Sequence, residues 1–179
     1  MVDLIIINGL GGSGKSSFIE LCWHYCEKEK VGIVRELSTV DYVKKIARLC
    51  GWDGSKSEHN RIFLSDLKKA FAKWDNTPIK TIFNEITNTI AKNPEEKNFF
   101  FFVNSREPED IKQILSIGQE KGYRVATLKV ERSGLKTNEV PELINDIINM
   151  KSDYFIKNNG TIDDLKSEAK DFINHLLLI

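Results

Sequence analysis

Residues 9–16 contain the pattern that most restricts how this chain can fold. They read Gly-Leu-Gly-Gly-Ser-Gly-Lys-Ser and match G-x-x-x-x-G-K-[ST] in full. The pattern follows the apolar run Val2–Asn8, which is typical of a strand buried on both faces, and precedes apolar residues at helical spacing. Glycines here let successive backbone N–H groups point at phosphate oxygens, and the following helix adds its positive end. The sequence therefore predicts a strand, a phosphate-binding loop and a helix.

The two residues that end this pattern have separate predicted roles. Lys15 is expected to bridge the β- and γ-phosphates of a nucleotide, and the Ser16 hydroxyl is expected to bind Mg²⁺. The residues predicted to bind the nucleotide are Gly9, Gly11, Gly12, Ser13, Gly14, Lys15, Ser16 and Ser17.

The remaining pattern alternates strands with helices. Strands are expected at 2–8, 32–37, 98–104, 123–130 and 153–157, and helices at 15–29, 39–49, 58–74, 78–91, 108–121, 142–149 and 161–178. Such alternation favours a three-layer α/β domain with a mainly parallel, five-stranded sheet, and the loop makes it a P-loop NTPase fold. We predict one domain over 1–179, with a helical insertion at 39–92 and a short lid at 131–140.

Composition excludes several classes of protein. The 26 basic residues balance the 26 acidic ones, which argues against nucleic acid or an anionic membrane as the main partner. Residues 41–92 hold ten basic and six acidic side chains, which suits a small anionic ligand.

No apolar run approaches the roughly 20 residues that span a bilayer. The odd cysteine number and the lack of a leader-like start predict the cytoplasm. The core is expected to include Cys22, Cys26, Trp23 and Trp74. Nothing in the sequence indicates an oligomeric state.

Nearly the whole chain resembles the nucleoside and deoxynucleoside monophosphate kinases of the P-loop class, most closely the phage-type and bacterial kinase-like members. Beyond the phosphate loop, the resemblance rests on residues 38–44, 51–54, 61–67, 105–111 and 153–160. It implies transfer of the γ-phosphoryl group of ATP to a monophosphate, with ATP and Mg²⁺ as cofactors and the insertion as the acceptor-binding part. Another small phosphate ester, such as phosphomevalonate, is an alternative acceptor.

The resemblance also implies roles for residues outside the loop. Arg106 and Arg132 are expected to act with Lys15 in catalysis, because arginines grip phosphate oxygens with paired donors. Asp41, Arg61 and Arg106 are expected to bind the acceptor, with Arg61 holding its phosphate.

One departure from the usual P-loop pattern concerns the metal. Many P-loop enzymes end the third strand with an aspartate of the Mg²⁺ shell, whereas this strand ends Val103-Asn104-Ser105. Glu107 and Asp41 are the candidates to replace it. The missing aspartate also favours an alternative function, a regulatory nucleotide-binding module or an ATPase that acts on a protein partner.

Overall fold

The computed structural model describes residues 1–55, 57–135 and 151–179. The described residues form five strands and six helices. Their order is β1 Val2–Asn8, α1 Lys15–Glu29, β2 Ile33–Ser38, α2 Asp41–Leu49, α3 Glu58–Asp75, α4 Thr77–Lys92, β3 Phe99–Asn104, α5 Pro108–Glu120, β4 Arg124–Glu131, β5 Tyr154–Lys157 and α6 Ile162–Leu178. The helix predicted at 142–149 and the part of the lid at 136–140 lie outside the described residues.

The chain divides into two compact units, which are described separately. The first unit comprises Met1–Glu36 and Glu95–Ile179, and the second comprises Leu37–Pro94. The predictions of a single domain and of an acceptor-binding insertion at 39–92 remain predictions.

The sheet has the strand order β2-β3-β1-β4-β5. Strand β1 pairs in parallel with β3 and with β4, and β4 pairs in parallel with β5. Register places Ile7 opposite Asn104 and Asn8 opposite Lys129, so these strands end at the same edge as the phosphate loop. In open α/β sheets this carboxyl edge is where ligands bind. The predicted α/β fold with a five-stranded, mainly parallel sheet is confirmed.

Helices of the first unit cover both faces of the sheet. Helices α1 and α6 pack against each other, and their apolar faces share one core cluster with alternate residues of β1 and β3. Phe18, Phe102 and Phe172 meet in this core, with ring centroids 5.7 to 6.4 Å apart. Helix α5 packs on β1 and β4. Phe99–Phe102 are buried, as the apolar run predicts.

The second unit consists of helices α2, α3 and α4, each of which contacts the other two. Ser57 caps α3 by accepting a hydrogen bond from the backbone N–H of Asn60. Asn76, with φ 50°, adopts the left-handed conformation that ends α3, and Pro78 lies in the first turn of α4. An asparagine tolerates this conformation better than most residues, so the two helices follow each other without a longer loop.

Two tryptophan predictions are wrong. Trp74 is 76% exposed and Trp23 is 39% exposed. The buried side of α1 is formed by Phe18, Ile19, Cys22 and Cys26. Trp23 directly follows Cys22, and a step of one residue turns a side chain by about 100° around a helix. The prediction from helical spacing therefore assigned too many residues to the buried face of α1.

Candidate nucleotide-binding site

The phosphate loop joins the end of β1 to the start of α1 through a backbone that requires glycine at particular positions. Gly9 has φ 143° and Gly14 has φ 99°, values that residues with a Cβ rarely adopt. A Cβ on Gly9 would also overlap the carbonyl oxygen of Val130 on β4. The loop is closed by a 3.1 Å hydrogen bond from the Ser13 N–H to the Leu10 carbonyl oxygen. The sequence pattern is thus matched by a tight, wrapped loop.

The N-terminus of α1 has the features of an anion-binding helix end. Gly14 is its N-cap, no side chain caps it, and its first turn contains no acidic residue. The first N–H groups of a helix have no partner inside the helix, and the helix dipole favours a negative charge beside them. Ser13 is buried, and its Oγ has no hydrogen-bond partner among the described residues. These groups suit the oxygens of a phosphate.

Lys15 folds back onto the loop that precedes it. Its Nζ donates hydrogen bonds of 2.7 Å to the Gly9 carbonyl oxygen and 3.0 Å to the Leu10 carbonyl oxygen. The ammonium group therefore lies directly over the loop that is predicted to hold phosphates. It can exchange a carbonyl oxygen for a phosphate oxygen with a small movement of a flexible side chain.

A carboxylate lies beside Ser16. The Ser16 Oγ donates to Glu36 Oε1 over 3.3 Å, and Asn104 Nδ2 donates to the same oxygen over 2.7 Å. Glu36 belongs to β2, whereas Asn104 ends the neighbouring strand β3. Sequence reasoning did not single out Glu36.

The loop after β5 is bonded to the phosphate loop. Asn158 Nδ2 donates a 2.9 Å hydrogen bond to the Ser13 carbonyl oxygen, and a Cβ on Gly14 would overlap the Asn158 amide. Asn159 Oδ1 accepts a 2.7 Å hydrogen bond from the Ser133 N–H, in the segment that follows β4. These two asparagines therefore connect the phosphate loop with the start of the predicted lid.

The described part of the predicted lid, residues 131–135, lies at the phosphate loop. A Cβ on Gly12 would be 3.6 Å from a methyl group of Leu135. Contact at this distance is ordinary van der Waals packing. The segment is thus close to the predicted phosphate site, and its role as a lid remains a prediction.

Two cavities flank the phosphate loop in the first unit. One, of about 490 Å³, is lined by residues that include Lys15, Ser16, Ser17, Thr161 and Ile162. The second, of about 370 Å³, is lined by Leu10, Lys129, Lys157 and Asn159, among others. Both volumes are in the range of small-molecule sites.

Arg132 lines both of these cavities. It directly follows β4 and is exposed. Lys129, which lines the second cavity, is buried and forms a 2.7 Å ion pair with Glu131. An arginine that borders two adjacent cavities can contact anionic groups in either of them, because its guanidinium presents five donors.

The other predicted site residues are distributed over both units. Arg106 is half-buried at the carboxyl edge of the sheet, two residues after β3 ends at Asn104. Arg61 is an exposed residue of α3, and Asp41 is the exposed first residue of α2, both in the second unit. Glu107 is the N-cap residue of α5. Their roles in substrate binding, metal binding and catalysis remain predictions.

Two other features are absent from the residues that the structure describes. In the part of the chain that the structure describes, no three His, Cys, Asp or Glu side chains gather in a way that could hold a metal ion. Among the helices of that part, none combines the length and apolar character needed to cross a membrane.

The fold and the loop define a nucleotide-binding domain of the P-loop NTPase class. The model of the KAP family P-loop domain matches residues 4–179, and the chain belongs to this family. Comparison with curated proteins finds no match. The expected resemblance is thus confirmed as far as a P-loop NTPase, whereas membership of the monophosphate kinases themselves remains a proposal.

Solved structures share this fold over nearly their full length. The APS kinase CysC of Mycobacterium tuberculosis, in complex with AMPPNP and APS, is 12% identical with a TM-score of 0.52, over 96% of this chain and 97% of that chain. The tunicamycin resistance protein of Deinococcus radiodurans is 10% identical with a TM-score of 0.53, over 97% of this chain and 96% of that chain. At these identities the likeness shows the fold alone.

Proposed function

We propose that this protein transfers the γ-phosphoryl group of ATP to a small phosphorylated acceptor, with a nucleoside or deoxynucleoside monophosphate as the first candidate. The observation that carries the proposal is the position of Arg132, which borders both cavities beside the phosphate loop. An arginine in this position can stabilise the charge that spreads over a phosphoryl group as it moves from ATP to a second phosphorylated substrate. The APS kinase with a similar fold was solved in complex with AMPPNP and APS.

The larger cavity is the proposed ATP site. Its lining includes Lys15 and Ser16, which would contact the phosphates, and Asn158, Thr161 and Ile162, which would contact the ribose and base. The backbone of the loop positions the phosphates, and the asparagine amide stabilises the loop through Ser13. Binding of ATP here leaves its γ-phosphate at the carboxyl edge of the sheet.

Catalysis by such a site depends on position and charge. Lys15, Arg106 and Arg132 are the proposed cations that stabilise charge as it spreads over the transferred group. A general base is not required, because the oxygens of an acceptor phosphate are already nucleophilic. Exclusion of water by the segment after β4 would prevent hydrolysis of ATP.

The residues present also fit a magnesium ion. Hydroxyl and carboxylate oxygens are the ligands that Mg²⁺ prefers, and Ser16 and Glu36 bring one of each within 3.3 Å. Ser16 and Glu36 would hold the ion, which would neutralise part of the negative charge that develops on the phosphates during transfer.

The acceptor side of the proposal rests on the second unit. Arg61 is proposed to hold the acceptor phosphate and Asp41 to contact the rest of the acceptor, which the basic excess of residues 41–92 supports. Another phosphate ester, such as phosphomevalonate, would use the same phosphate contact.

The three free cysteines fit the proposed location in the reducing cytoplasm.

A second candidate function follows from the family. The matched family is described as a P-loop domain, with no acceptor in the description. An NTPase that acts on a protein partner would use the same loop, lysine and magnesium site, and would hydrolyse ATP without a small acceptor.

Phosphorus NMR separates the two candidates. ATP and Mg²⁺ are incubated with the protein and each member of a panel of nucleoside and deoxynucleoside monophosphates, with the Lys15→Ala protein as control. A new diphosphate signal from one acceptor, formed together with ADP, supports the kinase. Inorganic phosphate as the only product from every mixture supports the NTPase.

A further inference from the structure

Glu36 places a negative charge where the proposed function brings further negative charge. Its carboxylate oxygen Oε1 lies 3.3 Å from the hydroxyl of Ser16, the second residue of α1. Two like charges a few ångströms apart repel each other unless a cation lies near both. A carboxylate at this position therefore weakens the binding of a bare nucleotide and strengthens the binding of a metal nucleotide.

The carboxylate is held by the residue that stands where many P-loop enzymes have an aspartate. Asn104 ends β3 and donates a 2.7 Å hydrogen bond from Nδ2 to Glu36 Oε1. An amide is a weaker metal ligand than a carboxylate, but it can donate hydrogen bonds and thereby orient one. Ser16 donates to the same oxygen.

We propose that Glu36, oriented by Asn104, supplies the carboxylate of the magnesium site that the Ser16 hydroxyl begins. The acidic group of the metal site is thus moved from the end of β3 to the adjacent strand β2. Asn104 is a positioning residue in this arrangement. The inference rests on the metal–nucleotide part of the proposed function and does not depend on the identity of any acceptor.

Equilibrium binding of a fluorescent ATP analogue tests the proposal without any turnover. Its affinity is measured with saturating Mg²⁺ and in excess EDTA, for the wild-type protein and for Glu36→Gln. In the wild type, Mg²⁺ tightens binding of the analogue. The ratio of the affinity with Mg²⁺ to the affinity in EDTA, called the Mg²⁺ enhancement below, falls by about 10-fold or more in Glu36→Gln. In EDTA the variant binds as well as the wild type or better, because a repelling charge has been removed. A variant in which the phosphate loop is merely damaged would lose affinity for the analogue both with Mg²⁺ and in EDTA.

Matched variants make the test specific. Glu109→Gln makes the same change of charge on an exposed residue of α5 that pairs with Lys112, and it keeps the wild-type Mg²⁺ enhancement. Glu107→Gln, which removes the competing candidate carboxylate, separates the two assignments, because the enhancement is kept if Glu36 supplies the carboxylate and is lost if Glu107 does. Asn104→Ala lowers the enhancement because Glu36 is no longer oriented, even though the carboxylate is retained.

A rescue experiment distinguishes loss of the carboxylate from a structural change that a single substitution causes. The double variant Glu36→Gln with Asn104→Asp returns a carboxylate to the end of β3, and it recovers most of the lost Mg²⁺ enhancement. Manganese binding to the protein–nucleotide complex, followed by electron paramagnetic resonance, shows the same order of variants. Circular dichroism confirms that each variant is folded.

The outcomes distinguish this inference from the proposed function. An unchanged Mg²⁺ enhancement in folded Glu36→Gln overturns the inference, as does a loss that appears only in Glu107→Gln. Absence of any metal effect in the wild type also overturns it. Loss in Glu36→Gln with rescue by Asn104→Asp supports it, even where no acceptor accepts a phosphoryl group and the kinase proposal itself fails.

Discussion

The side-chain amide of Asn158 donates a 2.9 Å hydrogen bond to the backbone carbonyl oxygen of Ser13, across 145 residues of sequence. This bond connects the loop after β5 to the phosphate loop. The same amide lies beside Gly14, where a Cβ would overlap it. The shape of the phosphate loop is therefore determined by both its own glycines and a distant asparagine.

Asn158→Ala should weaken ATP binding by about 10-fold, the loss expected when one partly buried hydrogen bond no longer holds the loop. Isothermal titration calorimetry measures the change. Asn174→Ala, which removes a different partly buried amide that pairs with Tyr25 away from the loop, is the matched control. Equal affinities for the wild type and Asn158→Ala would show that the loop keeps its shape without this bond.

Lys15→Ala should abolish turnover and lower ATP affinity by about 10²-fold, because it removes the charge placed against the β- and γ-phosphates. The variant also loses two hydrogen bonds to loop carbonyls. Steady-state kinetics and calorimetry provide the two readouts. Lys28→Ala, at the exposed end of the same helix, should behave like the wild type. Native turnover in Lys15→Ala would refute the assignment of the loop.

Arg61→Ala should raise the KM for the acceptor or lower kcat by roughly 10²-fold, which corresponds to the loss of ~2 to 3 kcal/mol from a charged hydrogen bond. ATP affinity should hardly change. Lys69→Ala, another exposed cation of α3, is the control. Unaltered kinetics in folded Arg61→Ala would place the acceptor phosphate on other residues.

The three cysteines should differ in reactivity. Burial raises the pKa of the Cys26 thiol to about 12 and that of the Cys22 thiol well above its ordinary value, whereas Cys50 is exposed. Because the thiolate is the reactive form, Cys22 and Cys26 stay protonated and unreactive as the pH rises from 7 to about 9. Alkylation followed by mass spectrometry should label Cys50 alone in the native protein and all three in urea. Rapid labelling of Cys26 in the native protein would contradict the described packing of α1.

Most of the fold could be predicted from the sequence because its signals are local. Continuous apolar runs identify β1 and β3, and prolines mark the first turns of α4 and α5. The phosphate loop combines a strict motif with the correct flanking elements. The start of α2 was harder to place. Its N-cap is Val40, without a side-chain cap, although Ser38 and Thr39 have better capping side chains.

Glu36 could not be found in this way because its importance depends on strand order. It lies 20 residues from Ser16 and 68 from Asn104 in the sequence. Only the placement of β3 between β1 and β2 brings these three side chains together. Nothing in the local pattern around Glu36 distinguishes it from other exposed acidic residues. Asn104, at the end of β3, indicated only that the usual carboxylate of the magnesium site was missing.

The central claim is that the phosphoryl group goes to a second phosphorylated substrate. Its most direct test is the rate of ADP formation from ATP and Mg²⁺ with each monophosphate of the panel, compared with the rate without an acceptor. The account predicts that one acceptor raises the rate by at least about 10²-fold, since an oriented acceptor replaces water as nucleophile. ADP formation at the same rate with every acceptor and with none would contradict it, and would identify the protein as an NTPase without a small-molecule acceptor.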